Sequence, residues 1–265
     1  MSNQLDSKTY IVTGASKGFG LAIVKALLEN GANVGMIARN KEVLDKVVAG
    51  LDTDAVLGIA GDVSKFEDMN AAFAQLKSHF GCLNGLINNA GLSRPGLVEE
   101  LDEADLMLQI NTNFVGTVLC CKAAIPLLRG EDNPRIINIS SATAWHMDEI
   151  YHMSIYGATK AAVERFSRDL YIEMHKDNIG VTCIRPGAAM TSFADDFDME
   201  KATVAINATT DALPYMRFGM EPEHIAQAVI QSLSYPQGVA VDLLEIRPNR
   251  RERMADLMEA AWSDA

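Results

Sequence analysis

The chain of 265 residues predicts a doubly wound α/β fold, and three observations carry that expectation. Short β-branched or apolar runs alternate with stretches of helical period, and the runs are apolar in both phases. No compositional break interrupts the alternation. Strands apolar in both phases are buried on two faces, and helices between them supply right-handed crossovers, so the sheet is parallel and covered on both sides.

Seven runs read as strands, at residues 10–13, 33–38, 55–60, 83–88, 135–140, 180–184 and 239–246, with six or more helices among them. The first is followed by Gly14-Ala15-Ser16-Lys17-Gly18-Phe19-Gly20 and then an apolar helix over 21–30. The fifth, Ile136-Ile137-Asn138-Ile139-Ser140-Ser141, ends in hydroxyls at the carboxyl edge of the sheet, where doubly wound folds bind ligands. Residues 187–222 carry no clear strand signal and mix Met, Phe and Thr with Asp195, Asp196, Asp198 and Glu200, so 188–222 is expected to be a mobile lid over a substrate. There is no 20–50-residue repeat and no linker, and one domain over 1–265 follows, with 247–265 as a C-terminal extension.

Composition excludes several classes of function. Hydrophobic residues make up 48% and charged residues 22%, enough to bury a core. The net charge of −12 repels phosphate backbones and anionic membrane surfaces, so neither nucleic acid nor membrane is an expected partner. Cys82, Cys120, Cys121 and Cys183 form no CxxC pair and read as reduced core thiols, with no metal site expected. The best apolar run, 115–128, is broken by Lys122 and Pro126 and falls short of a span; with a polar start, this makes the cytoplasm the expected compartment.

The glycine-rich turn sets backbone N–H groups and a helix N-terminus where a pyrophosphate can sit. Gly14 permits the tight turn, Gly18 a close backbone approach, and Gly20 close packing of helix on strand. An NAD site places a carboxylate at the end of the second strand, but here that strand ends Ile37-Ala38-Arg39-Asn40. Arg39 and Lys17 instead offer two cations to a ribose 2′-phosphate, which selects NADP(H).

Tyr156 and Lys160 stand four apart at the start of a helix and share one face. An ammonium beside a phenol stabilises phenolate and lowers its pKa toward the working range, which makes Tyr156 a candidate general acid/base. Ser141, at the end of the fifth strand, is placed to hold a substrate carbonyl.

These residues resemble the short-chain dehydrogenase/reductase family: Thr13–Gly20 is like its TGxxxGxG, Asn88-Asn89-Ala90-Gly91 like its NNAG, and Tyr156/Lys160 like its YxxxK. Further matches are Asp62-Val63, Asn113 in Asn113-Phe114-Val115-Gly116, Ser140-Ser141, and Pro186-Gly187 leading to Thr191, and together they cover residues 8–246 in order. The resemblance implies a Rossmann-like fold in which Tyr156 protonates a carbonyl oxygen, Ser141 orients it, Lys160 holds the nicotinamide ribose and lowers the tyrosine pKa, and Asn113 anchors a water in a proton relay. Hydride then passes between nicotinamide and the carbonyl carbon. It also implies that Ser16, Phe19 and Ala90 belong to the cofactor motifs, Asp62 and Val63 flank adenine, Asn89 and Gly91 line the cofactor channel, and Thr191 bonds a phosphate or the carboxamide region. Asn111 rivals Asn113 by its position; alignment with Gly116 favours Asn113.

Ser141 and Tyr156 lie about two residues further apart than the family usually has, and the surplus falls in 143–150. Thr143, Trp145, Met147 and Tyr151, with Met190, Phe193 and Phe197 of the lid, are expected to line an apolar substrate pocket. His146 and His152 read as ordinary hydrogen-bonded groups. The family's frequent Asp-Gly-Gly ending is absent; the tail carries Met254, Leu257, Met258, Ala261 and Trp262 in an amphipathic pattern that can dock on its own sheet or on a partner. The expected function is NADPH-dependent reduction of a small to medium, neutral or hydrophobic ketone or aldehyde by a homodimer or homotetramer. The alternatives are a 3-oxoacyl thioester reductase and a non-catalytic NADP(H)-binding redox sensor.

Overall fold

The computed structural model describes residues 5–253 apart from 148, 190, 214 and 218. In the first half β1 (Thr9–Thr13), α1 (Gly18–Glu29), β2 (Asn33–Ala38), α2 (Lys41–Leu51), β3 (Val56–Ala60), α3 (Phe66–Phe80) and β4 (Gly85–Asn88) alternate strictly. Then come α4 (Glu103–Ile110), a π-helical turn (Asn111–Val115), α5 (Gly116–Leu128), β5 (Arg135–Ile139), α6 (Ser154–Met174) and β6 (Gly180–Pro186). The described chain ends with α7 (Met199–Ala212), β7 (Tyr215–Arg217), α8 (Pro222–Leu233), β8 (Leu243–Ile246) and β9 (Arg251–Arg253).

Seven strands form one sheet in the order β3-β2-β1-β4-β5-β6-β8, and every pairing in it is parallel. Successive strand residues point to opposite faces, and the core divides accordingly. Val12, Val34, Met36, Ile87 and Ile137 pack with Ile23 and Leu27 of α1 and Val229 of α8. Their neighbours Ile11, Ile37, Leu86 and Ile136 pack on the other face with Phe73 and Leu76 of α3, Cys121 of α5 and Leu170 of α6. Strand order reverses between β1 and β4, which opens a crevice at the carboxyl ends of these two strands.

One expectation needs correction, and two segments gain detail. Within residues 187–222, Asp198 accepts from the N–H groups of Glu200 and Lys201 and caps α7, so part of the acidic cluster is a helix start. The extension turns back on its own chain, β9 pairing antiparallel with β7 in a separate two-stranded sheet; residues 254–265, with Met254, Leu257, Met258, Ala261 and Trp262, lie outside the described residues. Finally, Glu103–Leu128 runs as one helix long and apolar enough to cross a membrane by length and composition, yet Cys120, Cys121, Ala124 and Leu128 bury it against the sheet. Pro126 sits inside its last turns without ending it.

Candidate active site

The glycine turn closes on itself from both sides. Gly14 and Gly18 take φ of +62° and +53°, a left-handed conformation that disfavours any side chain. A Cβ at Gly20 would collide with the carbonyl oxygen of Gly14 and stand 2.7 Å from Asn89 Nδ2. Asn89 Nδ2 donates to the carbonyls of Thr13 (2.9 Å) and Gly14 (3.1 Å), while Thr13 Oγ1 accepts from the N–H groups of Asn89 and Ala90. The Asn89 amide therefore holds the turn in place, a structural task that its expected position along a cofactor channel did not include. Lys17 is the N-cap of α1 but makes no side-chain cap bond, and no acidic residue occupies the first helical turn. Ser16 is half-buried in the turn, and Phe19 packs on the core.

The two cations behave differently. Lys17 Nζ lies 3.5 Å from Asp196 Oδ2 and 3.7 Å from Asp195 Oδ2, so the segment after β6 reaches the glycine turn. Arg39 is exposed just past β2, and its charge acts on Asp62. Burial pushes the Asp62 carboxyl up, but hydrogen bonds from the N–H and Oγ of Ser64, with the charges of Arg39 and Lys65, outweigh it and hold the group below its ordinary value. Val63 is buried against Gly116, where a Cβ would meet its methyl at 2.8 Å.

At the carboxyl end of β5 the reactive residues converge. Tyr156 is 8% exposed, and Ser141, whose Oγ accepts from Thr143 Oγ1 at 2.9 Å, acts on its phenol to favour the charged form. Lys160, on the same buried face of α6, donates from Nζ to the Ile139 carbonyl at 2.8 Å, with Nζ 5.8 Å from the Tyr156 ring centroid. A Cβ at Gly91 would stand 3.2 Å from that Nζ and 3.3 Å from Asn113 Oδ1, so this glycine keeps the two side chains close. Asn113 is fully buried; its Oδ1 accepts from the Leu92 N–H, and its Nδ2 donates to the Leu92 carbonyl and Thr159 Oγ1. The asparagine side chain thus clamps the segment after β4 to α6, and the π turn that carries it closes with the Gly116 N–H on the Asn111 carbonyl.

The electrostatics differ from the expectation of a phenol made acidic by a neighbouring amine. Burial pushes Tyr156 up to about 12; the Ser141 hydrogen bond opposes this, and the charge of Glu149 adds to it. Burial likewise brings Lys160 down to about 8. Desolvation disfavours the charged form of both groups, and the lysine turns its protons to the Ile139 carbonyl.

Of the expected pocket, Phe193 packs on Tyr156 with ring centroids 5.3 Å apart, and Phe197 packs on Phe193 at 5.7 Å. Thr143 touches Ser141 as above, and the Tyr151 N–H bonds Thr209 of α7. Trp145 and Met147 do not join them: they are 70% and 88% exposed, and the tryptophan ring faces the Arg185 guanidinium. Met190 lies outside the described residues. Thr191 Oγ1 accepts from the Phe193 N–H, Pro186 ends β6, and the Gly187 N–H bonds the Ile246 carbonyl.

Sequence reasoning missed a run of charged groups beside the site. Ser140 Oγ donates to Glu164 at 2.8 Å, with the Lys160 carbonyl 3.2 Å away; Arg185 bonds Glu164 and Glu245; and Glu245 meets His146 at 2.7 Å. Arg247 Nη2 donates to Glu149 Oε1 at 2.7 Å. Signals existed: Glu164 follows Lys160 by four on its buried face, and Arg185 sits inside an apolar strand.

A nucleotide-type glycine turn facing a buried Ser-Tyr-Lys set across one crevice defines a dehydrogenase-type α/β protein. Residues 8–202 match the family model described as short chain dehydrogenase; the chain belongs to that family and is an oxidoreductase. Carbonyl reductase family member 4 of Xenopus laevis is 34% identical over 230 residues, covering 87% of this chain and 92% of its own. A closed form of serine dehydrogenase complexed with NADP+ superposes with a TM-score of 0.78 and 27% identity, covering 91% of this chain and 94% of the other. The 3-ketoacyl-(acyl-carrier-protein) reductase of Brucella melitensis complexed with NADH gives 0.78 and 28%, covering 91% and 97%.

Proposed function

We propose that the protein is an NADPH-dependent carbonyl reductase that reversibly reduces a small to medium, neutral or hydrophobic ketone or aldehyde. The observation that carries this reading is the convergence of buried Tyr156 and Lys160 with Ser141 at the carboxyl end of β5, on the sheet edge that also carries the glycine turn. The turn fits a dinucleotide: a Cβ would fill the space at Gly20, and α1 presents an N-terminus without a side-chain cap or first-turn acid to an anion. Lys17 and Arg39, with no carboxylate at the end of β2, support a 2′-phosphate over free ribose hydroxyls. The NADP+ and NADH complexes among the similar structures make this preference a matter for experiment.

When bound, the nicotinamide cofactor supplies or accepts the hydride. Ser141 and Tyr156 then hold the substrate oxygen with two hydroxyls, and Tyr156 donates its proton as charge develops there. Burial keeps the phenol protonated through neutral pH, which suits the reducing direction. Lys160 and Asn113 fix the wall behind it, and Phe193 and Phe197 exclude water from the apolar side. Residues 188–222 act as the lid, with Asp195 and Asp196 reaching Lys17 when it lies on the turn. The similarity to a ketoacyl reductase favours a second reading, 3-oxoacyl thioester reduction, against which stands repulsion between an acidic carrier and a chain of net charge −12.

Tyr156→Phe is the central test: turnover should fall by about 10²–10⁴ with NADPH binding retained, and undiminished turnover overturns the reading. Ala38→Asp with Arg39→Leu should move preference toward NADH; an unchanged NADPH preference removes the 2′-phosphate assignment. Assays on free ketones and on carrier thioesters separate the two substrate classes.

A further inference from the structure

Where β5 meets α6 the packing turns polar over three successive residues. Asn138 Nδ2 donates to Ser167 Oγ at 2.9 Å, Lys160 Nζ donates to the Ile139 carbonyl at 2.8 Å, and Ser140 Oγ donates to Glu164 Oε1 at 2.8 Å. Residues 160, 164 and 167 share one buried face of α6, and Asn138 and Ser140, two apart, point to that helix from the same side of the sheet. Arg185 of β6 holds the Glu164 carboxylate with two bonds, Nε to Oε1 at 2.7 Å and Nη2 to Oε2. The Ser140 N–H bonds the Ile184 carbonyl at 2.7 Å, so Ser140, Glu164 and Arg185 join β5, α6 and β6 at one point. The reactive residues stand on either side of it. Ser141 follows Ser140, while Lys160 and Tyr156 lie one and two turns before Glu164. Their two segments meet through Thr143: its Oγ1 donates to Ser141 Oγ at 2.9 Å, and its carbonyl oxygen would stand 2.9 Å from a Cβ at Gly157, the residue after Tyr156.

We propose that Glu164, held by Arg185, is a positioning residue: through Ser140 it fixes the register of α6 against the end of β5, and so where the Ser141 hydroxyl stands relative to Tyr156. The inference rests on the reading of Ser141 and Tyr156 as the pair that holds the substrate oxygen. Apolar contact is non-directional, whereas bonds between buried polar groups are satisfied in one register. A buried ion pair is weak evidence for net stability, because desolvation offsets the attraction; what this one supplies is a single geometry for the carboxylate that Ser140 meets. Glu164 acts through Ser140 and needs no contact with substrate.

The test is a double-mutant cycle on kcat for carbonyl reduction with saturating NADPH. Ser140→Ala removes the hydroxyl and leaves Glu164 with Arg185; it should lower kcat roughly tenfold. NADPH affinity, measured by fluorescence titration, should stay within about twofold, because the glycine turn belongs to β1 and β4 rather than to this junction. Ser141→Ala removes the group being positioned and should lower kcat by about 10²–10³. Adding Ser140→Ala to Ser141→Ala should then change kcat by less than about twofold, since there is no hydroxyl left to place. A purely structural link predicts the full loss again in the Ser141→Ala background, and that additive result overturns the proposal. Glu164→Asp keeps the charge but draws the carboxylate back by one methylene; it should lower kcat in the same way, again only while Ser141 is present. A parent-like kcat in either Ser140→Ala or Glu164→Asp also overturns the proposal, and if one of the two fails to fold the other carries the cycle. Undiminished turnover in Ser141→Ala defeats the reading of the site itself, whereas additive losses with Ser141→Ala impaired defeat this inference alone.

Discussion

Between β1 and β4 the carboxyl edge of the sheet is tied by uncharged side chains bonded to main-chain groups: Asn89 Nδ2 holds the carbonyls of Thr13 and Gly14, Thr13 Oγ1 holds the amides of Asn89 and Ala90, and Gly20 lies against the turn with no room for a Cβ. Around β6 and β8 the same edge is tied by charge, through Glu164–Arg185–Glu245–His146 and Glu149–Arg247. The difference teaches where each half can vary. Bonds that end on main-chain groups of the turn hold one backbone geometry whatever the substrate, whereas pairs between two side chains can be re-sited residue by residue around a different pocket.

Breaking the charged half should have the largest effect. Arg185→Met leaves Glu164 buried without its guanidinium, and the expected loss is about 3–5 kcal/mol in denaturant unfolding. A loss below about 1 kcal/mol would show that the network is not what joins α6, β6 and β8. In the backbone half, Gly20→Ala must displace the Gly14 carbonyl, at a cost of about 1–3 kcal/mol and with loss of nucleotide binding measured by fluorescence titration. Gly50→Ala is the control: nothing lies within 4 Å of the new methyl in α2, and it should stabilise by about 0.5–1 kcal/mol.

Acid sharpens the comparison further. Burial pushes the Glu245 carboxyl up, but its bonds from Arg185 and His146 prevail and hold it below its ordinary value of 4.5. Because the folded value lies below the unfolded one, this stabilisation is present above pH about 4.5 and is lost as pH falls through the folded value. Glu245→Gln should therefore flatten the acid limb of stability against pH, measured by thermal unfolding; an identical limb in parent and variant would refute it. The smallest effect is expected at the exposed link between the halves. Asp195→Asn with Asp196→Asn frees Lys17 from two competing carboxylates, so NADPH should bind a few-fold more tightly at low salt, with the gain fading as salt rises and no change in melting temperature.

The doubly wound sheet, the glycine turn, the hydroxyl-ended fifth strand and the shared face of Tyr156 and Lys160 could be read from the chain because they depend on local rules: apolar runs in both phases, glycines where φ is positive, and side chains four apart on one helix; Asn113 was picked out only by the family resemblance. The tertiary structure decided what depends on distance and solvent. It showed that burial raises the Tyr156 phenol, that Trp145 and Met147 face water, that Asn89 spends its amide on the turn, and that Arg247 returns to Glu149 across 98 residues. Desolvation and long-range ion pairs follow from which segments meet in space, and spacing along the chain carries no record of that meeting.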